Sequence, residues 1–278
     1  MEMKKLMETP PWDWPEDAGT IFLDVLLDDQ ANDDDRLMAV ELAGSIIVIN
    51  DELVDALLSV LKSSDETEDL RGQAAISLGP ALSHANADGF DDPDAATISE
   101  RTFRKIQKSL RRLYLDAAVP QIVRRRILEA SIRAPQDWHK DAVRAAYASD
   151  DEGWMLTAVF AMRWVRGFDD QILEALESDN PHILYEAVCA AGSWEVDEAW
   201  KHIKRLVSSR KTEKYILLAA IESAAEIRPE EAESILVDLA DSDDEDIREA
   251  AYEAMAMAEG PFGDDFDEED YDDDWHVN

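Results

Sequence analysis

Cysteine is almost missing from this 278-residue chain. The single Cys189 excludes an internal disulfide, and its setting in Ala187-Val188-Cys189-Ala190-Ala191 predicts a small core residue. Long apolar runs are absent too. Lys4 and Lys5 near the N-terminus are not followed by a stretch of signal-peptide length, and no window is apolar enough to span a bilayer, so a cytoplasmic location is expected, with no membrane role. Basic residues are scarce, 27 Lys and Arg against 64 Asp and Glu, a net charge of −37. Phosphate binding requires a basic surface that releases counterions, so general nucleic-acid binding is excluded. Asp outnumbers Glu and Arg outnumbers Lys, which fits a salt-rich cytoplasm and ordinary acidity equally well.

The motifs of common chemistries are also missing. There is no glycine-rich phosphate loop, nucleophile elbow, His-Glu-x-x-His zinc motif or paired-cysteine metal site. Of the five histidines, His182 with Glu186 and Glu198 with His202 have the four-residue spacing that lets a helix face share a metal. Helical surfaces produce such pairs by chance, so they are read as structural. No catalytic residue, metal or cofactor is predicted.

What the chain does have is a repeat. Leu70-Arg71-x-x-Ala74-Ala75-x-x-Leu78-Gly79 returns in weaker copies, and lining up the small position places Ala39, Ala74, Ile127, Ala158, Ala187, Ala219 and Ala251 in one frame. The steps are 35, 53, 31, 29, 32 and 32 residues. A period near 30 to 35 residues holding two helical patterns marks an α-solenoid, in which small side chains let neighbouring helices approach closely. The long step contains an expected insertion at 84–98, where Asn86-Ala87-Asp88-Gly89 and Asp91-Asp92-Pro93-Asp94 look loop-like.

On these residues, and on Ile247-Arg248-Glu249-Ala250-Ala251, the chain resembles the HEAT-repeat family, with its bacterial HEAT-like and phycobilin-lyase-type members. The Arg position becomes Met155, Leu184 and Ile216 in later copies, which are recognised by spacing alone. The resemblance implies an all-α fold, a right-handed α-α superhelix of about seven HEAT-like helix pairs over 18–259. It implies a scaffold or adaptor more readily than an enzyme. Among enzymes of this fold, di-iron hydroxylases use His-Glu dipeptides, and no histidine here is followed by Glu. HEAT-like alkylpurine DNA glycosylases need a basic concave face, which the total charge opposes. Phycobilin lyases leave no motif to check, so a HEAT-like enzyme or small-ligand carrier stays as the alternative. It predicts an enclosed pocket near His182, Tyr185 and His202.

The ends of the array differ from its middle. Thr9-Pro10-Pro11-Trp12-Asp13-Trp14-Pro15 cannot be a regular helix, so 1–17 is expected to cap the first pair with Trp12 and Trp14, or else to bind a partner. Asp28 to Asp35 lacks the glycine and distal Glu of a calcium loop and reads as helix capping. Ser149 with Glu152 and Ser242 with Glu245 predict capping boxes nine residues before the aligned alanine, and Ser178 holds the same offset ahead of Asn180-Pro181. Residues 260–278 are too acidic to fold alone. They act as a solubilising tail or fold back onto the basic cluster.

That cluster consists of Arg104, Lys108, Arg111 and Arg112 on one helix, with Arg124 and Arg125 at the start of the next. It either pairs with neighbouring carboxylates or steers an acidic segment of a partner protein. Downstream second helices are apolar nearly all round. In HEAT-like arrays these helices line the concave surface, so the resemblance suggests Trp154, Met155, Leu184, Tyr185 and Ile216 as contacts to another protein, with denser core packing as the plain alternative.

Overall fold

A computed structural model of the protein describes residues 3–28, 30–90 and 96–258. All regular elements among these residues are helical, and the chain divides into two compact units, Met1–Phe168 and Asp169–Asn278.

The first unit holds α1 (Met3–Glu8), a 3-10 turn at Pro11–Asp13, α2 (Ala18–Leu27), α3 (Asp33–Ala43), α4 (Asp51–Lys62), α5 (Glu68–Ser77) and α6 (Gly79–Asp88). It continues with α7 (Glu100–Leu115), α8 (Gln121–Ser131), α9 (Asp137–Tyr147) and α10 (Glu152–Met162). Helices pair as α2 with α3, α4 with α5, α7 with α8 and α9 with α10, and the second members α3, α5, α8 and α10 pack successively on one another. The second unit repeats the plan with α11 (Asp169–Ala175), α12 (Pro181–Ser193), a 3-10 turn at Asp197–Ala199, α13 (Trp200–Ser208), α14 (Lys214–Ile227), α15 (Pro229–Ala240) and α16 (Glu245–Ala258). Here α11 pairs with α12, α13 with α14 and α15 with α16, and α14 packs between α12 and α16.

The repeat frame coincides with the core. Ala39, Ala74, Ile127, Ala158, Ala187, Ala219 and Ala251 are all buried on second helices. Small residues nearby set the helix spacing. A Cβ on Gly44 of the α3 end would meet the Ser77 carbonyl oxygen at 2.7 Å, and one on Gly192 would meet Ser223 Oγ at 2.6 Å. Around this seam α4 buries Leu53, Leu57, Leu58 and Leu61, each worth about 1.5–3 kcal/mol when removed from water. Arg71 of the repeat signature is itself buried, its Nε donating to the Leu61 carbonyl at 3.1 Å, so it ties the two helices of one pair together.

Capping follows the frame, with one correction to the sequence reading. The side chains of Asn32, Thr67, Asp151, Asn180 and Asp244 accept first-turn backbone N–H groups, and each lies seven residues before the aligned alanine. The serines expected to be caps lie two residues further out. Ser149, Ser178 and Ser242 accept at 3.2 Å from the N–H of Asp151, Asn180 and Asp244. With the cap's own N–H so occupied, Glu152 and Glu245 stand at the first helical position, where they complement the helix dipole and complete no capping box.

Two further expectations change. Trp14 is held against the first helices: its Nε1 donates to the Leu6 and Thr9 carbonyls at 2.9 Å, and its ring meets Phe22 edge-on at 5.3 Å. Trp12, two residues away, is 77% exposed. In the long repeat step, Asn86 to Asp88 belong to α6, which packs on α7 and α8 and ends at Gly89 with φ 72°. Residues 91–95 and the acidic segment 260–278 lie outside the described residues.

Candidate functional site

The second helices of the second unit form an open groove. Residues 215, 218, 219 and 222 of α14 fall on one helical face, as do 246, 249, 250, 253, 254 and 257 of α16. The two faces enclose about 710 Å³ together with Tyr185 of α12. Ala219, Ala250 and Ala254 keep the floor low, while Tyr185, Tyr215, Leu218 and Met257 make apolar walls. The two tyrosine rings lie 5.5 Å apart at 48°. Desolvation, then the nearby Glu213 carboxylate, holds the Tyr215 phenol above its ordinary value, so it stays neutral.

Carboxylates form the rim. Asp246 shares Lys214 with Asp244, at 2.6 and 2.7 Å, and these bonds raise the Lys214 pKa. Glu222, Glu249 and Glu253 are exposed, with no cation in ion-pair range among the described residues. The groove is therefore apolar below and negative above.

Only part of the expected contact set is found here. Tyr185 lines the groove and Leu184 is half-buried beside it in sequence. Ile216 is 4% exposed and belongs to the core. One residue is about 100° of helix rotation, so it is Tyr215, 37% exposed, that faces outward instead. The signal for Tyr215 was its spacing to Leu218 and Glu222. In the first unit, Trp154 is 8% exposed and packs edge-on to Tyr114 at 6.3 Å, a core contact, and Met155 is half-buried.

The basic cluster splits. Arg104, Lys108, Arg111 and Arg112 are exposed on α7 and line a shallow recess of about 460 Å³ with Leu115 and Gln136. Arg104 pairs with Glu100 one turn earlier, whereas Lys108, Arg111 and Arg112 have no carboxylate partner among the described residues. Desolvation, then Lys105 and Arg112, depresses the neighbouring Lys62 ammonium. Arg124 and Arg125 do not join this face. Arg125 Nε donates at 3.2 Å to Thr157 Oγ1, which donates at 2.7 Å to Glu129 Oε1, bracing α8 against α10. Arg124 is half-buried in a different recess beside Tyr114 and Trp154.

His182 and His202 do not converge. His202 Nδ1 lies 3.0 Å from Glu177 Oε1 instead of pairing with Glu198, and neither His182 nor His202 lines the groove at Tyr185. Among the described residues no three His, Cys, Asp or Glu side chains are placed to hold a metal ion. Cys189 is half-buried, not fully enclosed. One buried Ser–His contact resembles a nucleophile pair, with His139 Nε2 3.0 Å from Ser131 Oγ. His139 Nδ1, however, accepts the Gln136 N–H at 2.8 Å. The proton must then sit on Nε2, so the ring donates to Ser131 and cannot take its proton. The contact is structural.

The aligned alanines, the caps and the successive second helices of the second unit agree with one comparison. Residues 170–256 match the family model of HEAT repeats. Among curated proteins, none matches the chain. Solved structures similar to the chain include human deoxyhypusine hydroxylase in complex with glycerol, 15% identical, covering 87% of this chain and 96% of that one with a TM-score of 0.39. Escherichia coli YibA is 16% identical over 88% and 84% of the two chains, TM-score 0.47. An engineered protein is 18% identical over 74% and 96%, TM-score 0.42. With scores below 0.5, these likenesses add nothing to the helix-pair architecture already described. No helix among the described residues is long and apolar enough to cross a membrane.

Proposed function

We propose that this protein is a non-enzymatic scaffold or adaptor whose HEAT repeats dock another protein on the second-helix groove at Tyr185 and Tyr215. The observation that carries this reading is the groove itself, an apolar strip running between α14 and α16 and walled by two tyrosines. Aromatic residues in a low-floored groove are the usual anchors of protein interfaces. An enzyme needs convergent polar groups in a water-excluding pocket, and the rim glutamates here are exposed to solvent. The α7 cations supply a second docking chemistry, suited to an acidic segment of a partner, because Lys108, Arg111 and Arg112 carry charge that no carboxylate among the described residues balances. A cytoplasmic location goes with this reading, in keeping with the single cysteine.

Site-specific photocrosslinking in native lysate tests it. Benzoylphenylalanine replacing Tyr215 is expected to capture a defined polypeptide that the same group replacing Val237, exposed on α15 outside the groove, does not. Equal yields from both positions, with a bound small molecule in native mass spectrometry, would replace the scaffold with the carrier alternative.

A further inference from the structure

We infer that the groove of the second unit selects a cationic amphipathic segment, one that places an apolar side chain between Tyr185 and Tyr215 and sets Lys or Arg side chains against Glu222, Glu249 and Glu253. This rests on the docking reading above and names the chemistry of the partner.

Three observations point the same way. The floor and walls are apolar, so an occupant gains by burying apolar surface there. The three glutamates on the rim lack cations among the described residues, while Lys214 at the start of α14 is already held by Asp244 and Asp246. The faces of tyrosine rings also attract guanidinium and ammonium groups. An acidic occupant would meet like charge on both banks. That excludes the chain's own C-terminal segment, since residues 259–278 contain ten carboxylates and no Lys or Arg. The second unit thus calls for a partner of opposite charge to the one that suits α7.

A protein of charge −37 attracts any cationic peptide, so the test must separate the groove from the general field. Full-length protein is titrated into three fluorescein-labelled peptides of equal length, followed by anisotropy. One is a Leu/Lys amphipathic helix, one a Leu/Gln helix, and one a Lys/Ser peptide with no apolar face. Neutralising the rim (Glu222→Gln, Glu249→Gln, Glu253→Gln) is expected to weaken the Leu/Lys peptide about tenfold. Neutralising three exposed acids of α15 away from the groove (Glu230→Gln, Glu233→Gln, Asp238→Asn) is expected to change it less than about twofold. Tyr185→Ala is expected to cost about tenfold, and Met257→Ser, at a side chain 66% exposed, serves where loss of the ring perturbs folding.

Equal weakening by the two triple variants, or binding of Lys/Ser as tight as Leu/Lys, overturns the inference in favour of nonspecific attraction. If Leu/Gln binds as tightly as Leu/Lys and remains sensitive to Tyr185→Ala, docking in the groove stands and the cationic class falls. Insensitivity of every peptide to both Tyr185→Ala and Met257→Ser removes the docking reading as well.

Discussion

The buried histidine of the first unit makes stability depend on pH in a way that can be worked out. His139, in the first turn of α9, is fully buried, and desolvation pushes its pKa from 6.5 down to about 4, while the Gln136 N–H donated to its Nδ1 also favours the neutral ring. Protonation would require Nδ1 to surrender that bond. Since the unfolded chain takes up the proton near 6.5 and the folded one only near 4, the unfolded state binds more protons in between. Stability is therefore fully present above the unfolded value and is lost as pH falls toward 4. From pH 7.5 to 5.0 the loss from this one residue is about 2 kcal/mol. His139→Asn offers Gln136 a non-titrating acceptor. It is expected to lower stability at pH 7.5, since the bond to Ser131 and the packing against Trp138 at 3.9 Å are lost. Its further loss on going to pH 5.0 should be smaller than that of the parent by about 2 kcal/mol. Urea unfolding of both proteins at the two pH values measures the difference, in which the carboxylates and other histidines common to both cancel. Histidine ring NMR of the folded parent reads the pKa directly. Parallel losses in parent and variant, or a His139 resonance titrating near 6.5, would refute the reasoning.

Two other outcomes follow from the helix seams and caps. Gly44→Ala should destabilise by about 1–3 kcal/mol, because the new Cβ meets Ser77 backbone atoms at 2.7–2.8 Å and backbone cannot step aside as a side chain can; a thermal midpoint equal to the parent's would show that the α3–α5 spacing is looser than described. Asp151→Ala should cost about 1 kcal/mol and Ser149→Ala under about 0.5 kcal/mol, since the aspartate holds the first-turn N–H of Trp154 and the serine only the turn before the helix; the reverse order in chemical denaturation would restore Ser149 as the cap.

The repeat frame was legible because it is written in single residues whose size matters wherever helices touch. Every aligned position from Ala39 to Ala251 is buried, and the caps at a constant offset follow from the same period. Pattern alone misplaced the serine caps by two residues, because Ser-x-Asp and Ser-x-Asn contain two competing acceptors and only the turn geometry chooses between them. The helical Asn86 to Asp88 escaped notice for a similar reason, since composition marks them as turn-formers and packing of α6 on α7 and α8 overrides it.

By itself the sequence determined the helical class, the period, the identity of the second helices and the exclusion of the common catalytic motifs, all of which depend on local spacing and on residue type. Tertiary structure decided which side of each second helix is left open. An apolar residue reads alike whether a neighbouring helix covers it or solvent does, so the sequence left groove and core both open for Trp154 and Ile216, which are buried, and gave no sign that Tyr215, one residue along, is the exposed one. The same holds for charge: Lys108, Arg111 and Arg112 on α7 have no carboxylate partner among the described residues while Arg125 braces α10, and Glu222, Glu249 and Glu253 line a groove only because α14 and α16 lie side by side. Whether a charge is balanced depends on what comes within a few ångströms of it, and the partners across these seams lie some thirty residues away in the chain.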